Sequence, residues 1–257
     1  EKLPSMHHQF IELAGVDITK EPMEVGPTAH YVMGGVRVNA ETQETTISQL
    51  YAAGEVSSGL HGANRLGGNS LSDLIVFGKR AGEFGSKTAK ELEQPQLIEE
   101  EIKLACNKIW EPLTKTDGEN PGIIYESIRE MMQNKVGIIR NGLELESALE
   151  DLNDLMKRSK SISVGTSKIY NSGWHQALDL KNMIDISKAC TLAALTRTES
   201  RGGHTRDDYP EPDKGKWSHT TNVIWMEKGE VKIRQEELEQ PPLELEKLLD
   251  RYKKEKS

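Results

Sequence analysis

The sequence predicts a mixed α+β fold, in which a segment of α/β character is followed by a helical bundle and a small β-containing tail. The first third carries glycine-rich loops beside short apolar runs, the middle carries apolar residues at helical spacing, and the end carries strand-like runs around a turn. The predicted boundaries define four segments, residues 1–26, 27–92, 93–205 and 206–257. We expect the first segment to hold the end of a helix and a polar loop.

Two short strands are predicted in the second segment. Val36 and Val38 alternate with polar residues, and a later apolar run, Tyr51–Gly54, ends in a glycine before Glu55. Strands buried in α/β sheets often end in this way just before a bound ligand. The pattern therefore places a ligand-binding loop after this second strand.

A helix is predicted directly after that loop. Ser70 or Ser72 can cap its N-terminus, and Asp73 lies in its first turn, where a carboxylate interacts favourably with the helix dipole. Its buried side is predicted to consist of Leu74, Ile75, Phe77 and Ala81. The N-terminus of this helix is expected to point at the ligand, as is common for oxygen-rich molecules.

Residues 93–205 are predicted to form a bundle of three or four helices. One helix starts at Asn120–Pro121 and continues to about Ile139, where Asn141–Gly142 ends it. Two others carry apolar stripes at helical spacing, the first Leu145, Leu149, Leu152 and Met156, the second Met183, Ile186, Cys190 and Ala193. We interpret both stripes as hydrophobic core.

The last segment is predicted to contain a hairpin and a helix. Trp217–Trp225 and Val231–Arg234 are strand-like, and the intervening Glu227–Glu230 contains a glycine suited to a tight turn. The final residues, Leu243–Lys256, are highly charged and are predicted to be helical.

Charge and hydropathy narrow the possible function classes. The 257 residues include 35% hydrophobic and 29% charged side chains, with a formal net charge of −8. No apolar run approaches the roughly 20 residues of a membrane span. The acidic balance, without a basic stripe that carries interleaved aromatics, argues against a nucleic-acid partner. An anionic ligand must therefore be bound by local arginines and backbone N–H groups.

Cysteine usage and the N-terminal residues indicate the setting of the chain. Cys106 and Cys190 lie in apolar helical patterns and are predicted to be buried thiols, which fits a reducing compartment. The first residues, EKLPSMHHQF, contain neither an initiator Met nor the apolar core of a signal peptide. We therefore expect a fragment of a longer protein.

The candidate ligand loop is His61–Leu71, which reads HGANRLGGNSL. Its glycines let a backbone pass close to a bulky planar ligand and expose N–H groups. Arg65, set among small residues, can hold a carboxylate through two parallel hydrogen bonds. The alternative is that Arg65 is only a structural salt-bridge partner.

Two further residues are candidates for binding. His30 lies in the run PTAHYVMGG, between a proline that fixes the backbone and two glycines that permit close approach. It binds a ligand or is a surface histidine that hydrogen bonds to backbone. Glu55 follows a predicted buried strand, so it accepts hydrogen bonds from a ribose or pairs with a surface lysine.

The charged run Arg197–Tyr209 is expected to form an ordered salt-bridge network beside the site, because it follows the point where an apolar helix stops. His204 within it is not expected to bind a metal, since no His, Cys or carboxylate pattern has zinc spacing. No GxGxxG follows a strand and opens a helix, so a dinucleotide phosphate has no obvious binding loop. No Ser–His–Asp or Cys–His arrangement is evident.

Four motifs together resemble the flavoprotein subunit of succinate dehydrogenase and fumarate reductase. They occur in the family's order and read PTAHYVMGG, LYAAGE, HGANRLGGNSL and RTESRGGHTRDDYP. The resemblance covers nearly the whole chain but only the C-terminal part of the family's flavoprotein. It implies that residues 1–26 are the end of a capping domain and that residues 27–92 are the C-terminal part of an FAD-binding domain with the substrate loop.

The resemblance also implies roles for individual residues. His30 and Arg65 resemble the residues that bind the carboxylates of the substrate. Contacts to FAD are implied for Glu55, Asn69, Ser70 and Leu71. The implied reaction interconverts succinate and fumarate by hydride transfer to FAD. The family's proton-transferring arginine has no match in this chain, so the catalytic residue is unknown.

Partners and alternatives follow from the same resemblance. It implies membrane anchor subunits together with an iron–sulfur subunit, and a location on the cytoplasmic face of the cell membrane or in the cytoplasm. L-aspartate oxidase shares the fold, but it typically has a cysteine in place of Met33 and reads HGANRLASNSL where this chain has Gly67–Gly68. It is the alternative enzyme. A non-catalytic module that needs a partner chain is the alternative of another class.

Overall fold

The structure is a computed structural model that describes residues 4–26, 28–245, 247, 248 and 251. The chain divides into two compact units, Glu1–Tyr31 and Val32–Ser257. The described residues are mostly helical with two small sheets, so the predicted mixed α+β class is confirmed. Among the described helices, none is long and apolar enough to cross a membrane.

The first unit consists of one helix and a loop. Helix α1 spans Pro4–Ala14, and the polar loop after it folds back through the carboxylate of Asp17. Asp17 accepts hydrogen bonds from His7 at 3.0 Å and from the hydroxyl of Thr19 at 2.6 Å. The predicted helix end and polar loop are therefore confirmed. Pro27, which the sequence assigns to fixing the backbone before His30, lies outside the described residues.

The two strands predicted early in the second unit are single bridges. Val36 pairs in parallel with Ser57, Val38 pairs with Thr45, and a third bridge joins Glu44 to Tyr51. A tight turn keeps the pairing short: Gln43 is buried with a positive φ of 62°, and its side-chain amide donates to the carbonyl of Ala40 at 3.1 Å.

Helix α2 spans Asn69–Glu91 and differs from its prediction at the N-terminus and on its buried side. Neither Ser70 nor Ser72 caps it, because Gly68, in the left-handed region with a φ of 83°, is the N-cap residue and both serines lie inside the helix. Asp73 is therefore beyond the first turn, and it is buried. Leu74 and Ile75, predicted to be buried, are 51% and 73% exposed.

The predicted bundle is confirmed and contains four described helices. They are α3 Glu99–Thr114, α4 Pro121–Lys135, α5 Gly142–Arg158 and α6 Ser172–Thr196. The core lies between the last three, and its fully buried apolar side chains are Ile124, Leu145, Ala148, Leu152 and Ile184. Trp174 of α6 stacks on Trp110 of α3 with ring centroids 5.0 Å apart, which fixes α3 at the edge of the bundle.

The start of α4 is confirmed, but its end is not. The side chain of Asn120 accepts from the N–H of Gly122 at 2.8 Å, and Pro121 occupies the first helical position. The helix stops at Lys135, before the short strand β1, Ile139–Arg140. Asn141 caps the start of α5 instead of ending α4.

The stripe predicted for α5 is confirmed at Leu145 and Leu152, whereas Leu149 and Met156 are only half-buried and the buried side is completed by Ala148 and Leu155. The stripe predicted for α6 is wrong. The buried side of α6 consists of Leu180, Ile184, Ser187, Thr191 and Ala194, whereas Ile186 is 64% exposed. Small polar residues fit this face because the Thr191 hydroxyl donates to the Ser187 carbonyl at 2.7 Å. Cys106 and Cys190 are both exposed, so the prediction of buried thiols is also wrong.

The tail forms the predicted hairpin. Strand β2, Thr205–Arg206, pairs in parallel with β1. Strands β3, Thr220–Glu227, and β4, Glu230–Glu237, pair antiparallel around Lys228 and Gly229, which both have positive φ, as a type I′ turn requires. Trp217 is buried, and it lies in a 3₁₀ turn, Lys216–Ser218, rather than in a strand. Of the predicted final helix, residues 243–245, 247, 248 and 251 are helical, and the remainder lies outside the described residues.

The bundle core yields a stability prediction. Leu152→Ala should lower the free energy of unfolding by about 2–5 kcal/mol, because it removes a fully buried side chain and leaves a cavity. Leu143→Ala, in the same helix at a position that is 81% exposed, is the matched control and should change it by less than about 0.5 kcal/mol. Urea denaturation followed by circular dichroism measures both, and equal losses would contradict this description of the core.

Candidate functional site

The loop that leads into α2 starts at a glycine that no other residue can replace without strain. Gly54 is buried with a φ of 81°, and a Cβ built there would lie 2.6 Å from Cδ2 of Leu74. Its carbonyl accepts from the backbone N–H of Ser57 at 2.9 Å and from the Ser57 hydroxyl at 2.8 Å. The start of the loop is thereby held against the first turns of α2.

The segment that carries the glycine pair Gly34–Gly35 lies against the beginning of the same loop. Val36 donates to the carbonyl of Val56 at 2.7 Å, and a Cβ at Gly35 would lie 2.3 Å from that carbonyl oxygen. Glu55 is exposed, and its Oε1 accepts from the backbone N–H of Val32 at 2.9 Å. Its carboxylate therefore already helps to position the glycine-rich segment.

Arg65 lies at the centre of the loop and is half-buried. Its Nη1 donates to the carbonyl of Leu66 at 3.3 Å. Gly62 and Gly68, on either side, have positive φ values of 57° and 83°. A Cβ added at Gly67 or Gly68 would have no atom of the described chain within 4 Å. Arg65 is thus carried by a turning backbone that has open space at Gly67 and Gly68.

A buried contact between a histidine and a carboxylate joins the loop to α2. His61 Nε2 lies 3.4 Å from Asp73 Oδ2, and the two side chains are only 10% and 2% exposed. Sequence reasoning missed this pair because it treated Asp73 as a helix-dipole residue and gave His61 no role of its own within the loop motif. The two residues are twelve positions apart, one in a loop and the other in a helix, so no helical or strand periodicity relates them.

The first residues of α2 are the predicted contacts Asn69, Ser70 and Leu71. Within the described part of the chain, no side chain caps this end of the helix; the N–H of Asn69 donates to Leu66 at 3.2 Å and that of Leu71 to Gly68 at 3.3 Å. The Leu71 side chain is 67% exposed. The start of a helix with 23 residues carries a partial positive charge that favours anionic oxygens.

The structure places the predicted site residues in both units. His30 lies in a loop of the first unit and is exposed. Arg65, Glu55 and the three residues at the start of α2 all belong to the second unit. Among the described residues, no group of three or more His, Cys, Asp or Glu side chains could hold a metal ion.

The charged run after α6 forms the expected network, centred on the fully buried carboxylate of Glu199. Arg197 donates to it from Nε at 2.9 Å, Arg201 from Nη2 at 3.0 Å, and the backbone N–H of Asp213 at 2.8 Å. Burial by itself would raise the pKa of Glu199, but these hydrogen bonds outweigh it and hold the pKa below its ordinary value. Glu199 is therefore charged at neutral pH.

His204 links this network to the bundle. Its Nε2 lies 3.0 Å from the Arg197 carbonyl and its Nδ1 lies 3.0 Å from Nη1 of Arg140. A carbonyl can only accept, so Nε2 carries the proton and Nδ1 accepts from the guanidinium. Burial, together with the charges of neighbouring arginines, lowers the pKa of His204, so the imidazole is neutral.

Arg206 connects the network to the end of α6. It is 2% exposed, and its Nη1 donates to the last-turn carbonyls of Ala194 at 2.9 Å and Leu195 at 3.1 Å. Its Nε and Nη2 donate to the two oxygens of Asp208 at 2.7 and 2.6 Å. A cation at this position satisfies the carbonyls and the negative end of the helix dipole.

The network also contacts the ligand loop, as the sequence predicts. The backbone N–H of Gly203 donates to the carbonyl of Ala63 at 2.9 Å. Ala63 lies two residues before Arg65, so the charged run is attached to the loop that presents the guanidinium.

Comparison with known protein families identifies two matching regions. A family described as fumarate reductase flavoprotein C-term matches residues 125–252, and a family described as FAD binding domain matches residues 1–71. The first matched region includes most of α4, all of α5 and α6, and the hairpin, and the second includes the segment that carries Arg65.

Individual relatives agree with these matches. A polypeptide of the fumarate reductase (CoM/CoB) of Methanothermobacter marburgensis is 44% identical over 215 residues, which are 82% of this chain and 38% of that protein. The succinate dehydrogenase flavoprotein subunit of Coxiella burnetii is 35% identical over 248 residues, which are 91% of this chain and 42% of that protein. The chain thus spans about two fifths of the length of these relatives.

A solved structure shows the same fold. A chain in the Sdh1 complex of Mycobacterium smegmatis in the apo form superposes with a TM-score of 0.82 at 45% sequence identity. The superposition covers 93% of this chain and 41% of that chain.

The buried carboxylate gives a prediction for stability. Glu199→Gln should lower the free energy of unfolding by about 3 kcal/mol, because it leaves two arginines of a buried network without their anion. The loss should be largest above about pH 4.5, the ordinary value for Glu, and should shrink as pH falls through the lower folded-state pKa. Urea denaturation at a series of pH values measures this.

The matched control for this prediction is Glu230→Gln. Glu230 pairs with Lys232 on the exposed hairpin, at 72% and 42% exposure, and its replacement should produce no measurable change. A loss in Glu199→Gln that is no larger than in this control, or that is independent of pH, would contradict the role given to the buried carboxylate.

Proposed function

The chain belongs to the family of succinate dehydrogenase and fumarate reductase flavoprotein subunits, whose C-terminal portion it matches, and we propose that it forms part of an FAD-dependent enzyme that interconverts succinate and fumarate. The observation that carries this proposal is the loop around Arg65. It presents a half-buried guanidinium four residues before the N-terminus of α2.

The residues at this end of α2 fit a cofactor with anionic oxygens and a planar apolar ring. Asn69, Ser70 and Leu71 supply the N-terminal turn of the helix, and the glycines before them leave open space. Glu55 would add a contact from the preceding loop. Succinate and fumarate differ by a hydride and a proton, and FAD, when bound, would accept or donate the hydride while a protein group exchanges the proton.

Arg65 and His30 are proposed to bind the two carboxylates of the substrate. The planar fork of a guanidinium matches a carboxylate through two parallel hydrogen bonds, and it retains its charge at any working pH. An imidazole N–H of His30 would donate to the other carboxylate. Holding both ends of a short dicarboxylate fixes the carbon that loses or gains the hydride.

The exposed apolar side of α2 supports the proposal that the active enzyme needs further protein. Leu71, Leu74, Ile75 and Val76 lie on adjacent turns and are between 46% and 73% exposed. A contiguous apolar surface on a helix beside a ligand site usually marks an interface. We propose that additional flavoprotein sequence covers it, and that membrane anchor subunits together with an iron–sulfur subunit complete a peripheral complex on the cytoplasmic face of the membrane.

Activity measurements test this function. The holoprotein that carries this chain should contain FAD, reduce a dye in the presence of succinate, and oxidise a reduced viologen dye with fumarate. The 257-residue chain alone, supplied with FAD, should show no sustained succinate-dependent dye reduction, since no proton-transferring arginine is assigned in it.

Other outcomes would overturn parts of this proposal. Oxidation of L-aspartate without activity on succinate or fumarate would identify an aspartate oxidase. Sustained turnover by the chain alone would contradict the need for further protein. A holoprotein without flavin and without dicarboxylate binding would indicate a non-catalytic module.

The role of Arg65 gives a further prediction. In the holoprotein, Arg65→Lys should reduce kcat/KM for succinate or fumarate by about 10- to 150-fold, which corresponds to about 1.5–3 kcal/mol for one lost charge-assisted hydrogen bond. Lysine keeps the charge but not the planar fork. The flavin content should stay near normal, because the glycines of the loop are unchanged.

The control for this substitution is Arg129→Lys on α4. Arg129 is 61% exposed and pairs with Glu126 of its own helix, so the change should leave the kinetics unaltered. Unchanged succinate turnover and malonate inhibition in Arg65→Lys would show that Arg65 does not bind the carboxylate.

A further inference from the structure

The Arg201–His204 turn approaches the ligand loop more closely than a side chain at its tip would permit. Gly202 has a φ of 60°, and a Cβ built on it would lie 2.1 Å from the carbonyl oxygen of Ala63 and 2.4 Å from the carbonyl carbon. Ordinary contacts between such atoms are about 3.5 Å. Any residue other than glycine at 202 must therefore displace Ala63, or be displaced, by more than about 1 Å.

The turn itself is firmly held, so the ligand loop is the side expected to yield. Arg201 donates to the carbonyl of His204 at 2.8 Å, and His204 donates back to Arg201 at 3.0 Å, which closes a two-residue turn. The Arg201 side chain binds the buried Glu199, and both ring nitrogens of His204 are hydrogen bonded. On the other side, residues 62–64 are exposed.

A hydrogen bond holds the two segments together at this contact. Gly203 donates its N–H to the same Ala63 carbonyl at 2.9 Å, so one glycine holds the loop while the other permits the approach. Arg65 follows two residues later on the same backbone. A shift of Ala63 is therefore transmitted to the guanidinium with little intervening chain to absorb it.

We propose that Gly202 and Gly203 are positioning residues for substrate binding, which set the place of Arg65 by fixing the carbonyl of Ala63 against the charged network at the end of α6. The inference rests on the proposed function, since it gives Arg65 a carboxylate to bind. A bidentate pair tolerates little misplacement, and an error of 1 Å in a positioned group can cost on the order of 100-fold in rate.

The substitution that tests this is Gly202→Ala in the holoprotein, and the chain offers a matched control. Gly165, in the loop between α5 and α6, also has a positive φ, at 72°, but no atom of the described chain lies within 4 Å of a Cβ built there. Gly165→Ala therefore carries the same backbone strain without the contact.

Malonate, a dicarboxylate that cannot be dehydrogenated, is the binding probe, and flavin content and steady-state kinetics are measured on the same samples. Gly202→Ala should weaken malonate binding and raise KM by roughly 10- to 100-fold, with flavin content near that of the wild type. Gly165→Ala should bind malonate within about twofold of the wild type. A general loss of folding would instead lower flavin content and kcat together.

The outcomes distinguish a failure of the positioning role from a failure of the proposed function. If wild-type holoprotein does not bind malonate, or if Arg65→Ala binds it unchanged, the proposed function is wrong. If wild type binds and Arg65→Ala does not, but Gly202→Ala binds as well as the wild type, the positioning role is wrong.

A second variant covers the case in which Gly202→Ala does not fold. His204→Ala removes both hydrogen bonds of the ring, the one to the Arg197 carbonyl and the one from Arg140, so it loosens the turn without adding bulk at Ala63. It should weaken malonate binding by several-fold. Unchanged binding in His204→Ala would then overturn the proposal.

Discussion

The charged run after α6, and the ligand loop that it contacts, depend on one constraint, which is the buried carboxylate of Glu199. It is fully buried and accepts hydrogen bonds from two arginine side chains and one backbone N–H. A buried anion is stable only when its partners are held in good geometry, because removing one of them leaves an uncompensated charge. The need to satisfy Glu199 therefore fixes Arg197 and Arg201, and with them the backbone on either side of the carboxylate.

The charged run around Glu199 contacts two other parts of the second unit, the hairpin and the helical bundle. Toward the hairpin, Arg197 also donates to the Trp217 carbonyl at 3.0 Å, and its guanidinium lies 5.1 Å from the centroid of the Trp217 ring. Toward the bundle, Arg206 binds the last carbonyls of α6, whose buried side belongs to the main core. The charged run is thus connected to the core of the bundle. This connection explains how a segment made largely of polar and charged residues can hold the ligand loop in one place.

Local features of the sequence predict much of this structure, and the misses share a physical cause. Asn120–Pro121 and the Lys228–Gly229 turn are confirmed because caps and turns depend on neighbouring residues. The stripe on α6 is wrong because Ser187 and Thr191 lie on the buried side, where a hydroxyl can bond within its own helix.

The candidate site shows the same division, since the His61–Asp73 pair and the contact of Gly202 with Ala63 join separate segments that no local pattern connects. The roles of His30, Glu55, Arg65 and the first residues of α2 remain predictions, because they concern a ligand.

The loop that carries Arg65 is held on two sides, by α2 and by the charged run after α6, and the second attachment is the firmer. On one side, His61 pairs with Asp73, but α2 buries only Asp73 among the described residues, and its apolar side chains are largely exposed. That support is only as firm as the packing of α2. On the other side, the Ala63 carbonyl is bound to a turn anchored through Glu199 and Arg206 to the core of the bundle. In the proposed positioning role, the bundle therefore anchors the part of the loop that precedes the arginine, while α2 is the side on which further packing can adjust the site.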